Sequence, residues 1–356
     1  MLDCSNKTLV NHKPHPNLFY SFIILFAMRI FDCHSDFPSA VVRERSKGRE
    51  KVIEEDFLEG MRESGIMKRI ISIYLRDNYL NSAAHRGIQQ LEETRRDINE
   101  SDKLEICTTI SEMEKANQKD KHAFMFSMEG GEPLEGDLAL LDAFYNLGVR
   151  SLLLTHSRRN QLGTGAPIRN SERDVKDRGL SDFGLDVVER CNELGIVLDG
   201  THLNERGFWD LIEHSDETII ASHSNAAGVH DIPRNLDDEQ LKAIAESGGT
   251  VGLVSGVNLF VGDKDSDIDD FVEHLNYMVD LIGVENVGLG FDYFEYLGKY
   301  YHYDKYGDVG GIEGMSCDRE VKNLEEKLID EGYTESEIQK IFEENFKKSF
   351  REVLEK

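Results

Sequence analysis

The chain has 356 residues, 39% of them apolar, and carries 68 Asp and Glu against 41 Lys and Arg for a net charge of −27. That balance argues against nucleic acid or an anionic membrane surface as a partner, because both would be repelled, and it reads as a solvated, self-repelling surface. The length suits one barrel-sized core or two smaller ones and does not decide between them.

In chain order, residues 18–28, LFYSFIILFAM, form the first apolar run. It is too short to span a bilayer and lacks the small-residue cleavage pattern of an export signal. The run passes without a linker into a strand-like stretch. Residues 1–27 are therefore expected to be an extension of doubtful structural role, with Met28 as the start of a single domain spanning 28–356. Strands are predicted at 29–34, 69–75, 122–127, 150–154, 196–199, 218–221, 250–254 and 286–290, runs dominated by β-branched and apolar residues. Helical patterns lie between most of them: 137–148, 182–195 with Ser181 as N-cap and Gly195 as its stop, and 236–249 closed by Gly248. Eight strands alternating with helices predict a (β/α)8 barrel of the TIM type, an α/β fold, over an open doubly wound sheet. A Tyr- and Gly-rich stretch, 291–317, follows the last strand as a candidate substrate-facing loop or a self-packed surface excursion. Glu- and Lys-rich helices from 318 to 355 are expected to complete the outer ring. Cys4, Cys33, Cys107, Cys191 and Cys317 are scattered, with no C-x-x-C pair. They suggest neither a disulfide framework nor a zinc knuckle, and they fit a reducing, cytoplasmic setting.

The residues just beyond the predicted strands carry the chemistry. The first strand ends in RIFDCHSDFP, where alternation places Phe31 and Cys33 on one face and Ile30, Asp32 and His34 on the other, with His34 and Asp36 on the same side. Glu129 follows the third strand, His156 the fourth, His202 the fifth, His223 the sixth and Asp292 the eighth. His12, His15, His85, His214, His274 and His302 fall in the leading tail, in helical stretches or in the long loop. In a (β/α)8 barrel the strand ends meet at one mouth, and so many buried polar groups without a task would cost free energy. Imidazoles and carboxylates without thiolate suit Zn²⁺, Mn²⁺ or Fe²⁺, and their number points to two ions and metal-assisted hydrolysis. Glu129, in SMEGG, can bridge two ions through its two oxygens. On spacing alone Asp36 could instead cap the next segment, Arg234 could be a surface ion-pair residue, and Asp292 could cap a helix.

Five ordered blocks, from about residue 28 to the end, resemble the membrane dipeptidase (renal dipeptidase) family, peptidase family M19, among the amidohydrolase-like metallopeptidases. FDCHSD resembles the family's D-x-H-x-D opening. SMEGG with LGVRSLLLTHSRRN, GLSDFGLDVVERCNELGIVLDGTHLNE, ASHSNAAGVHDIPRN and VGLGFDYF are similar to its later blocks. The resemblance implies a two-zinc dipeptidase in which His34 and Asp36 hold one Zn²⁺, His202 and His223 the other, and Glu129 both. It implies further that a metal-bridging hydroxide attacks the peptide bond, that His156 contacts the scissile carbonyl, that Arg234 grips the dipeptide's carboxylate, and that Asp292 handles the proton. Two positions depart from the family pattern: Phe294 stands where a second Asp is usual, and Thr201 precedes His202 where Ser is usual. The same barrel and metals would also suit hydrolysis of another amide or a lactone, or a metal-binding scaffold without turnover. The expected partner is a small dipeptide, not nucleic acid or a membrane, with room for a homodimer.

Overall fold

The computed structural model describes residues 28–168, 178–293 and 310–356. Residues 1–27, Phe294, His302 and most of the Tyr-rich stretch lie outside the described residues. No helix among the described residues is long and apolar enough to cross a membrane.

Among the described residues nine strands form one parallel sheet: β1 Ile30–Ser35, β2 Ile66–Tyr74, β3 Leu104–Ile106, β4 His122–Glu129, β5 Val149–Leu153, β6 Val197–Asp199, β7 Ile219–Ile220, β8 Val251–Leu253 and β9 Val287–Leu289. Eight of them run in the order β7-β6-β5-β4-β2-β1-β9-β8, and a parallel bridge from Ala221 to Val251 brings β7 back to β8. The result is a nearly closed eight-stranded (β/α)8 barrel, as the alternating pattern predicted. The ninth strand, β3, was not anticipated: three residues carry too little periodicity to register, and it docks on the N-terminal half of β4 outside the barrel path.

Helix boundaries follow local chemistry. Ser181 caps the helix Asp182–Leu194 by accepting from Gly184 N, and Gly195 ends it at φ 70°, a left-handed turn that glycine adopts without steric cost. Asp237 and Gln240 form a capping box at the start of the helix Asp238–Glu246.

Two apolar layers sandwich the strands. Ile30, Ile71, Ile73, Phe124, Phe126, Leu198 and Ile219 pack outward against the helices. Phe31, Cys33, Ile70, Met125, Val197 and Ile220 face inward and meet Phe346 and Phe350 of the helix Asn345–Leu354, which closes the N-terminal end. Phe31 lies 6.1 Å from Phe346 and 5.7 Å from Phe350 between ring centroids.

The strict alternation expected for β1 does not hold. Asp32 points outward to its cross-strand partner Arg69, 2.8 Å from Oδ2 to Nε, whereas His34 points into the mouth. The reason is a register shift between Asp32 and Ser35. Such an irregularity puts Cys33 and His34 on the same side of the sheet, a device bulges often serve beside functional sites.

Candidate metal centre

The strand ends deliver their polar side chains to one place. His34 comes from the end of β1 with Asp36 just beyond it, Glu129 from the last position of β4, and His156 from the turn after β5. His202, His223 and Asp292 follow β6, β7 and β9. Phe37, not Asp36, occupies the N-cap position of the helix Pro38–Arg45, and no side chain caps that helix. Asp36 is thereby left to the mouth.

Glu129 is the hub. Its Oε1 lies 2.9 Å from His202 Nε2, 3.7 Å from His34 Nε2, 3.7 Å from His223 Nε2 and 4.0 Å from His156 Nε2. On the other flank His34 Nε2 is 3.7 Å from Asp36 Oδ1 and 3.8 Å from Asp292 Oδ1. Three sets of donors lie close enough to hold a cation: His34, Glu129 and His223; Glu129, His156 and His202; and His34, Asp36 and Asp292.

A row of serines orients the imidazoles. Ser222 Oγ sits 2.8 Å from His223 Nδ1, Ser157 Oγ 3.3 Å from His202 Nδ1, and Ser72 Oγ 3.4 Å from His34 Nδ1. With each Nδ1–H donating to its serine, every Nε2 presents a lone pair to the centre. The Nε2 atoms of His202 and His223, 3.1 Å apart, then face each other as acceptors. His34 Nε2, Asp36 Oδ1 and Glu129 Oε2 are buried without a hydrogen-bond partner among the described residues. Converging acceptors without donors fit a cation better than they fit a satisfied polar core.

The electrostatics agree. Burial, with the Arg234 charge second, pulls the His34 pKa down to about 3. Burial likewise pulls His156, His202 and His223 well below the usual imidazole value. Asp36 is pushed up to about 7 by burial. Glu129 and Asp292 are pushed well up by burial and then by the Asp36 charge. A dication would turn both trends to advantage, since it favours neutral imidazole and ionised carboxylate.

Arg234 is no surface residue. Only 2% of it is exposed, its Nη2 donates to His223 O at 2.7 Å and its Nη1 to Ser224 Oγ at 3.1 Å, and its guanidinium lies over the Phe260 ring. Its buried Nε has no hydrogen-bond partner among the described residues.

Several residues of the site escaped sequence reasoning. Tyr74, in register with Glu129, packs its ring 4.7 Å from that of His156. Arg158 donates Nε to Glu132 Oε1 at 2.7 Å at the same rim. Asp32 and Asp199 are buried behind the histidines. The signal for the aspartates was present in DCH and DGTH, where each precedes a site histidine. Two site residues also occupy left-handed backbone, His202 at φ 70° and Asp292 at φ 54°. Such conformations cost on the order of 1–3 kcal/mol each and cluster at functional sites.

A family model described as membrane dipeptidase (peptidase family M19) matches residues 23–356. The chain is 31% identical over 233 residues, 64% of its own length and 84% of the relative's, to the "uncharacterized protein in pqqA 5′ region" of Klebsiella pneumoniae. Among solved structures it matches the dipeptidase AC, a metallopeptidase of family M19, with TM-score 0.80 and 26% identity over 92% of this chain and 99% of that one. A metallopeptidase from Rhodobacter sphaeroides, liganded with a phosphinate mimic of the dipeptide L-Ala-D-Ala, matches with TM-score 0.80 and 25% identity, again covering 92% and 99%.

Proposed function

The chain belongs to the membrane dipeptidase family, peptidase family M19, and from that premise we propose that this metallo-dipeptidase hydrolyses dipeptides at a pair of zinc ions held in the barrel mouth. The observation that carries the reading is the convergence of unpartnered acceptors on Glu129. His34 and Asp36 would hold one ion, His202 and His223 the other, and Glu129 both. When bound, the ions supply Lewis acidity that polarises the scissile carbonyl and acidifies the attacking water.

The chain's own residues do the rest. Arg234, buried across from Glu129 and Asp292, orients the substrate by its terminal carboxylate, which favours dipeptides over longer chains. His156, kept neutral by burial, offers an N–H to the carbonyl oxygen as negative charge develops there. Asp292, whose Oδ1 stands 3.8 Å from His34 Nε2 at the mouth, takes a proton from the attacking water and returns it to the departing amine. The four described cysteines, buried and free, suit a reducing compartment such as the cytoplasm.

Metal analysis of the purified full chain, combined with a dipeptide panel that includes L,D diastereomers and C-terminally amidated members, tests the reading. About two equivalents of zinc and selective turnover of free dipeptides are expected. Equal turnover of amidated dipeptides removes Arg234 from the site. Two bound metals with hydrolysis of lactones or other amides alone replaces the substrate class.

A further inference from the structure

The barrel ladder is uneven. β2 and β4 pair continuously from Lys68–Ala123 to Tyr74–Glu129, whereas β1 and β9 pair only at Asp32–Leu289, and β7 contributes two residues to β6. The two thin seams separate the strand ends that carry His34 from Asp292 and His202 from His223. A buried aspartate stands at each. Asp32 Oδ1 accepts from His34 N at 3.3 Å on its own strand and from Phe291 N at 3.0 Å on the neighbour. Asp199 Oδ1 accepts from Thr201 N at 2.9 Å on its own side and from Ser222 N at 3.1 Å on the neighbour.

We infer that Asp32 and Asp199 are a matched pair of positioning residues, each reinforcing two strand ends beyond the short ladder. A backbone bond continues the ladder at each seam, Asp292 N to His34 O at 3.4 Å and Gly200 N to Ile220 O at 2.8 Å. The inference rests on the reading of His34, His202, His223 and Asp292 as the working site. Both aspartates are buried to 1% exposure or less. Each holds the amide immediately before a residue in left-handed backbone, Phe291 before Asp292 and Thr201 before His202. That backbone persists only where its surroundings over-determine it, and a carboxylate receiving two N–H groups provides the constraint. The second bonds, to His34 N and to Ser222 N beside His223, fix the partner strand in the same stroke.

The pair differs in its second oxygen. Asp32 Oδ2 is ion-paired to Arg69, which also donates Nη1 to Asp318 Oδ2 at 3.1 Å. No ion pair reaches Asp199 among the described residues, and the side chains bonded to it are the Ser222 and Thr201 hydroxyls, which can accept as well as donate. An asparagine has one acceptor oxygen. At 199 it can serve both N–H groups, but at 32 it must forfeit either the clamp or the Arg69 contact.

The test measures zinc affinity by chelator competition and amide exchange at Thr201 and Ser222 in the full chain. Asp199→Ala should weaken zinc binding by roughly 10–100-fold, the scale seen when an outer-shell partner is removed, and speed exchange at both amides. Asp199→Asn should rescue affinity to within about threefold of wild type, while Asp32→Asn falls roughly 10–100-fold. An Asp199→Asn variant as weak as Asp199→Ala overturns the clamp, as does a folded Asp199→Ala with unchanged affinity and exchange. If Asp199→Ala does not fold, equal affinities of Asp199→Asn and Asp32→Asn overturn it. A wild type that binds no zinc defeats the functional reading, and the exchange rates then still decide the clamp.

Discussion

At the N-terminal end of the barrel the buried Lys68 ammonium meets the Glu343 carboxylate, and the buried His122 donates Nδ1–H to Ile66 O at 2.8 Å. At the other end His34 Nε2, Asp36 Oδ1 and Glu129 Oε2, equally removed from water, meet no donor among the described residues. The two ends are made by the same strands, and both bury polar side chains: Lys68 lies on the inner face of β2 in step with Ile70, and His122 on the outer face of β4 in step with Phe124. What differs is where the partner comes from. Below, the buried Lys68 charge finds its complement within the chain, so polarity there is structure. Above, like groups are held against like, so the attraction that would stabilise them is reserved for an ion and a substrate.

Variants at the two ends should accordingly fail in different ways. Glu129→Gln, at the hub, should take zinc from about two equivalents to well below one and abolish measurable hydrolysis, by metal analysis and dipeptide assay. Retention of both would dissolve the distinction between the ends. Asp292→Asn should keep fold and metal but slow hydrolysis by roughly 10²-fold or more, because the amide cannot take the proton; a wild-type rate with metals intact would move the proton role to His156.

At the closed end the expected losses are of stability. Lys68→Met leaves the buried Glu343 with only the more distant Lys347, 3.9 Å away, and should cost up to about 3 kcal/mol in urea denaturation, with kcat unchanged in the folded fraction. Pairing it with Glu343→Leu should recover most of that. A kcat that tracks the stability loss would mean the two ends are coupled. The smallest effect concerns pH. Burial pulls His122 down to about 4, so it stays neutral in the fold while the unfolded chain takes a proton near 6.5. Its contribution is whole above pH 6.5 and is lost as pH falls toward 4. His122→Asn, which can still donate to Ile66 O but does not titrate, should flatten the stability–pH slope by up to about one proton relative to wild type. An unchanged slope would show that this histidine does not report its burial.

Much of the architecture was legible in the sequence because barrel strands, buried on both faces, read as short apolar runs between helical patterns. The gathering of His34, Asp36, Glu129, His156, His202, His223 and Asp292 was foreseeable for the same reason: each stands just past such a run, and parallel strands share one end. The orientation of β1 was not legible. Alternation assumes an unbroken register, and the shift between Asp32 and Ser35 depends on the fit to β2, a partner more than one helix away in the chain. The serines behind the imidazoles were equally silent, since their work depends on which ring nitrogen faces inward. Arg234 could have been a surface cation; its burial beneath Phe260 is a property of the packed loop, not of DIPRN.

The plug at the closed end has a consequence in time. Phe31 belongs to the first strand and Phe346 and Phe350 to a helix near the other end of the domain, while Lys68 waits for Glu343 across 275 positions of sequence. A ribosome adding about 5–20 residues per second leaves the early strands without their interior lining for tens of seconds. Contacts of such separation are also among the slowest to form. During that interval His34 and Glu129 already exist as ligands on an unfinished barrel, so a nascent chain able to catch metal early would do so before the geometry that selects it is complete.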